Sequence, residues 1–178
     1  MLFAGMNTIG AILITLAVSA MIGLFNAFCV NELDIPPLIT TLGMMTALRG
    51  VAFLITGGLP IFGFKSDIAV IGKGSLWAIP VPVIIMIVVF LFGILFLERT
   101  KYGRYIYGVG GNEEASRLSG VNVKKIKYMV YSICGLLSGL AGIVLLARIN
   151  SGTPNAGKGY EMDVITAVVL GGVSIFGG

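Results

Sequence analysis

Histidine is absent from the chain, which removes the commonest general base and metal ligand. Two cysteines, Cys29 and Cys134, are too few and too far apart for a disulfide framework or a metal-ligand spacing, and both fall in apolar runs where small packing residues belong. A phosphate loop is also lacking. Lys73 and Lys158 each follow a glycine but have neither the further glycine nor the hydroxyl residue that the motif requires. The GVGG run at 108–111 misses the dinucleotide fingerprint because Glu113 stands where its third glycine belongs. Charge is scarce too, at 11% of residues against about a quarter in ordinary soluble domains. These absences argue against an enzyme, a nucleotide-binding chain and a soluble globular domain alike.

Oily residues fill the space instead. Hydrophobic residues make up 57% of the sequence and the mean hydropathy is +1.01. A window of about 19 residues finds four runs able to cross a hydrocarbon core of about 30 Å. They cover residues 9–30, 38–56, 79–97 and 128–149, with Arg49 and Arg148 their only charges. Pro80 and Pro82 open the third run, where the first turn of a helix tolerates them. The first run lacks a basic flank and is too long for a cleavable signal core, so it reads as a mature span. A weaker apolar segment at 163–176 is too short to span and suits a re-entrant half-helix. The expected fold is therefore all-α, a polytopic helical membrane protein of about four transmembrane helices plus that half-helix.

The pI near 9.2 comes without any basic stripe interleaved with aromatics, which argues against nucleic acid. Seven of the 12 Lys and Arg residues lie between 98 and 127 instead: Arg99, Lys101, Arg104, Arg117, Lys124, Lys125 and Lys127. Short loops rich in Lys and Arg resist translocation, so the loop 98–127 is expected to be cytoplasmic and the loop 57–78, with Lys65 and Lys73, to face outward. The acidic inner loop 31–35, with Glu32 and Asp34, counts modestly against this orientation. Both ends lack polar anchors, and the chain is expected to be an interior piece of a longer membrane domain.

Within the basic loop, GGNEEASRLSGVNVKKIK (110–127) carries the signals of a soluble helix. Asn112 is a good N-cap, Glu113 and Glu114 place negative charge on the first turn, Arg117 comes late, and Gly120 stands where a helix stops. Together they predict a helix of about two turns over 113–119, with Asn122 capping the helix that follows. So short a helix is marginal alone in water and needs a surface to pack on. That surface is either a soluble partner or the lipid headgroups, and the residues alone leave both readings open.

The stretch YGRYIYGVGGNEEASRLSGVNVKKIK, continued by YSICGLLSGLAGIVLLARINSGTPNAGKGYEMDVITAVVLGG and preceded by PPLITTLGMMTALRGVAFLITGG, resembles the permease subunit of ribose-type ABC importers, which are related to branched-chain amino acid permeases. The resemblance covers nearly the whole chain. It implies that the loop helix is a coupling element seated on a cytoplasmic ATPase, with Gly111, Asn112, Glu113, Glu114, Ala115, Arg117, Leu118 and Gly120 facing that partner. It further implies a second permease copy, as a homodimer or a related subunit, an extracytoplasmic sugar-binding protein, and a place in the bacterial cytoplasmic membrane. ATP would bind on the ATPase, leaving this chain without a cofactor or metal of its own. Permeases of this type carry a Gly-Gly-Ile-Asp-Leu-Ser segment before the first span found here and further spans after the final GG. Neither is present, so an incomplete permease domain over 1–178 is expected.

Three charged residues remain candidates for a pathway. Glu161 and Asp163 follow the Gly-rich segment 150–160 and precede apolar residues 164–170, where acids stabilise a helix dipole. They would alternatively line the outer mouth of a pathway or touch a binding protein. Arg49, some two-thirds along the second run, would cost roughly 2.5–3.5 kcal/mol at the bilayer centre and is expected to snorkel or to pack inside the bundle. Gly135, Ser138, Gly139 and Gly142 read as a small helix-packing face, Met44 and Met45 as packing residues, and Asn26 as an interhelical hydrogen-bond donor. The sequence thus points to the membrane-spanning part of an ATP-driven importer of a small, ribose-like monosaccharide. A non-transporting scaffold or relic, and half of an ion-coupled transporter, stand as alternatives. Against the last, no acid or histidine lies within the four runs.

Overall fold

The structure is a computed structural model that describes residues 7–64, 66–76 and 79–172. In chain order its elements are α1 (Thr8–Glu32), α2 (Pro37–Thr56), α3 (Ser66–Lys73), β1 (Ser75–Leu76), β2 (Ile79–Pro80), α4 (Val81–Arg99), α5 (Lys101–Gly111), α6 (Glu113–Leu118), α7 (Val123–Ile149) and α8 (Tyr160–Leu170). Four of them, α1, α2, α4 and α7, are long and apolar enough to cross a membrane. At 1.5 Å per residue they measure about 28 to 40 Å, enough for a hydrocarbon core of about 30 Å. The fold is that of a polytopic helical membrane protein.

Helix boundaries differ from the expected runs where local chemistry intervenes. The third span opens at Val81, so Pro82 lies in its first turn, but Pro80 sits on β2, paired with Ser75 in a two-residue antiparallel hairpin. A proline tolerates that place because the strand is short and, among the described residues, pairs with β1 alone. The last span begins at Val123, five residues earlier than hydropathy indicates, because the Asn122 side chain accepts the Lys125 N–H at 3.1 Å and starts the helix in the basic segment. α8 runs from Tyr160 to Leu170 and ends at Gly171; residues 173–176 of the expected half-helix lie outside the described residues.

The described residues fall into two compact units. One comprises Met1–Val89 with Lys127–Pro154. In it α1 meets α7 through small residues. A Cβ at Gly23 would run into the Tyr131 carbonyl, one at Gly135 into the Ser19 carbonyl, and one at Gly139 into the Ser19 side chain. Such backbone-to-backbone approach is how helices associate in lipid, where burial of apolar surface drives nothing. Gly142 departs from the expected packing face, because nothing lies within 4 Å of a Cβ placed there. Buried Ala11, Ala27, Cys29 and Val30 complete the inner face of α1.

Within the expected outer loop, the described residues 57–64 and 66–76 include a helix, a short strand and long-range contacts. Gly72 of α3 lies against the backbone of Ala147 on α7, and Ile61 and Gly152 exchange backbone hydrogen bonds of 2.8 and 2.9 Å. These long-range contacts hold α3 and the turn after α7 together, and none can be read from local periodicity.

The second unit comprises Phe90–Ile126 with Asn155–Gly178. Thr100 ends α4 and starts α5 at once. Its hydroxyl donates to the Phe96 carbonyl at 2.7 Å and accepts the Gly103 N–H at 3.1 Å, while its extended backbone (φ −105°, ψ 157°) breaks the helix direction. Gly103 is buried against the Leu97 backbone and leaves no room for a side chain, which makes the joint tight.

Candidate functional site

The capped helix expected in the basic loop is present as α6. The Asn112 side chain accepts the Ala115 N–H at 2.8 Å, Glu113 and Glu114 occupy the first turn, and Arg117 forms an exposed ion pair with Glu114 at 2.7 Å. Gly120 closes the helix with φ +83°, a conformation that favours glycine. The Gly120 N–H donates to the Arg117 carbonyl at 3.0 Å and the Val121 N–H to the Ser116 carbonyl at 3.1 Å, a complete Schellman motif. Both ends are thus fixed within a few residues, which is what a helix of six residues needs in order to exist.

The residues that the family resemblance would turn toward a partner lie on its surface. Gly111, Asn112, Glu113, Glu114, Ala115, Arg117, Leu118 and Gly120 are all exposed, and Ser116 alone on the helix is buried. Leu118 is 81% exposed, an apolar side chain at the tip of a polar helix. α5 supports α6 from behind, and a groove of about 320 Å³ between them is lined by Arg104, Tyr105, Gly108, Ala115, Ser116 and Ser119, among others.

Glu161 and Asp163 fall in the first turn of α8, at a helix start as expected, though the helix opens at Tyr160, three residues before the expected segment 163–176. The Glu161 carboxylate accepts the Gly159 N–H at 3.0 Å, which ties it to the helix start; Asp163 is exposed. Arg49 is half-buried on α2, and among the described residues it forms no ion pair. Arg49 belongs to the first unit, and Glu161 and Asp163 to the second. Among the described residues no group of three or more His, Cys, Asp and Glu side chains is placed to hold a metal.

A cavity that the sequence reading missed lies within the first unit. It has a volume of about 570 Å³, in the range of small-molecule sites, and each of three helices lines it with one stripe. α1 supplies Ser19, Ile22, Gly23 and Asn26; α2 supplies Thr41, Met44, Met45 and Leu48; α7 supplies Tyr131, Cys134, Gly135 and Ser138. Every stripe has the spacing i, i+3, i+4, i+7, the signature of one helical face. The wall is mainly apolar with a few polar groups. The Ser19 and Thr41 hydroxyls donate to the Thr15 and Pro37 carbonyls at 2.7 and 3.0 Å, leaving their oxygens able to accept. The Asn26 Oδ1 is buried and, among the described residues, accepts no hydrogen bond. Cys134, Met44 and Met45 line the cavity as well. The available signal was the seven-residue spacing of Ser19 from Asn26 and of Tyr131 from Ser138 within otherwise oily runs.

The chain is similar to known permeases along its whole length. It is 48% identical over 176 residues to the ribose import permease protein RbsC of Escherichia coli K12, covering 97% of this chain and 55% of that protein. The ribose import permease of Bacillus subtilis 168 is 40% identical over 180 residues, 100% of this chain and 56% of the relative. The L-arabinose transport system permease protein AraH of Escherichia coli K12 is 40% identical over 154 residues, 86% and 47% respectively. The chain therefore spans about half the length of the curated relatives it matches. No solved structure matches it. The model of the branched-chain amino acid transport system permease component matches residues 1–178, and the chain belongs to that family of membrane transport components.

Proposed function

We propose that the chain is the membrane-spanning part of an ATP-driven importer of a small, ribose-like monosaccharide, in the bacterial cytoplasmic membrane. The observation that carries the coupling is α6, a helix capped at both ends whose assigned contact residues all face outward. Its partner is a cytoplasmic ATPase, which binds the ATP. The loop 98–127 then lies on the cytoplasmic side, as its basic residues require. A second permease copy and an extracytoplasmic sugar-binding protein complete the assembly. The sugar reading rests on what the ribose and arabinose relatives are named for. The three-helix cavity is compatible with it. A sugar offers several hydroxyls, each with one proton to donate, so one can satisfy the Asn26 Oδ1 while another donates to the Ser19 or Thr41 oxygen. An unsatisfied buried carbonyl otherwise costs about 1–3 kcal/mol.

Labelled ribose uptake by vesicles holding the chain with its ATPase, second permease copy and binding protein tests the reading. Uptake is expected to require ATP and to persist when ion gradients are collapsed. Stable insertion without flux would instead favour a scaffold, and loss of flux with the ion gradient a secondary transporter. In the same assay, E161Q combined with D163N is expected to leave uptake within about twofold, because Glu161 serves the start of α8. A tenfold fall would place these acids on the pathway.

A further inference from the structure

The second amphipathic element of the basic loop, α5, has no role in the reading above beyond supporting α6. Tyr102, Tyr105, Ile106 and Val109 recur on it at i, i+3, i+4 and i+7, one continuous face. Tyr102 and Tyr105 are 54% and 41% exposed. Three basic residues, Arg99, Lys101 and Arg104, cluster at its start; all are exposed, and among the described residues none is ion-paired. α5 carries no acidic residue. Its position is set by covalent continuity, because α4 ends at Arg99 and the Thr100 cap with the close Gly103–Leu97 approach turns the chain immediately. A helix that starts one residue beyond a membrane span starts at the membrane surface.

We propose that α5 is an interfacial helix that binds the anionic lipids of the leaflet it adjoins. Its tyrosine face lies at the boundary of headgroups and acyl chains, where the aromatic ring is apolar and the hydroxyl remains wet. Arg99, Lys101 and Arg104 meet the lipid phosphates. Anionic lipid is the occupant that matches both halves of the surface: an apolar stripe for the acyl boundary and uncompensated positive charge beside it. The inference does not depend on α6 meeting an ATPase and is tested without one. Where both hold, lipid charge holds in place the helix against which α6 packs.

The test places a nitroxide on the full chain by Ile106→Cys, with C29A and C134A, in vesicles of phosphatidylcholine alone or with about 30% phosphatidylglycerol. Collisions with a water-soluble nickel reagent report whether the α5 face is immersed. Attraction of about fivefold per basic residue gives a preference on the order of a hundredfold for three. Residue 106 is therefore expected to be shielded at least about tenfold better in the anionic vesicles. R99Q/K101Q/R104Q should abolish that difference. Because removing these charges can also disturb insertion, the unchanged basic set is read again in about 1 M salt, which should release the helix by screening. Equal accessibility in both lipids at low salt would overturn the proposal. So would shielding that follows protein concentration rather than lipid charge, since that assigns the face to a second copy.

Discussion

Replacing Gly23 by leucine will break the association of α1 with α7. The side chain added at Gly23 meets the Tyr131 carbonyl and the Ser132 Cα, which are backbone and cannot swing aside. The two helices must therefore separate along their closest approach. Gly135→Leu does the same from the other side, against the Ser19 carbonyl and the Gly23 backbone. Overpacking a close core typically costs about 1–3 kcal/mol, and backbone clashes of this kind belong at or above the upper end. Each variant is expected to lose at least about 3 kcal/mol in a denaturant titration of the purified chain. Gly142→Leu, which faces open space on the same helix, should stay within about 0.5 kcal/mol. The contrast matters because the cavity lies between the same helices, lined by Gly23 and Gly135 themselves. A Gly23→Leu chain as stable as the parent would show that α1 and α7 do not meet there.

Ala115→Arg is expected to abolish ATP-driven uptake, by tenfold or more, without harming the chain. Arginine is nearly as good a helix former as alanine, and position 115 is exposed, so α6 itself should survive. Its cap is made by the Ala115 backbone N–H, which the substitution leaves in place. A charge buried against a partner without a counter-charge commonly costs several kcal/mol, enough to disrupt docking. Co-purification of the ATPase with the permease checks the cause. Uptake within twofold of the parent, with the ATPase still attached, would mean that Ala115 does not face it.

The spans and α6 were legible in the sequence because their causes are local. Twenty apolar residues in a row have few fates other than a membrane, and Asn112, Glu113, Glu114 and Gly120 each act within four residues of their own position. α5 was not anticipated because Gly103, Gly108, Gly110 and Gly111 weaken its helical signal and its arginine and tyrosines read as surface loop. The spacing of Tyr102, Tyr105, Ile106 and Val109 was the cue available. The seating of α3 depends on Gly72 meeting Ala147, and that of the turn before it on Ile61 meeting Gly152, contacts across about 75 to 90 residues that no window contains. The cavity was hidden for the same reason. Each stripe is visible on its own helix, but that the stripes of α1, α2 and α7 converge is a fact of packing. Gly135 and Gly139 were recognised as a packing face, whereas Gly142 one turn on met nothing, since a helix face is wider than the neighbour it serves.

The central claim, that α6 is where a soluble ATPase grips this membrane chain, is tested most directly by placing a photo-crosslinking side chain at position 115 in native-like membranes and identifying what it captures by mass spectrometry. The account predicts an ATPase subunit, captured in high yield and lost when the α6 caps are removed by Asn112→Ala with Gly120→Val. Capture of lipid alone by a stably inserted chain, with the ATPase present, would contradict it.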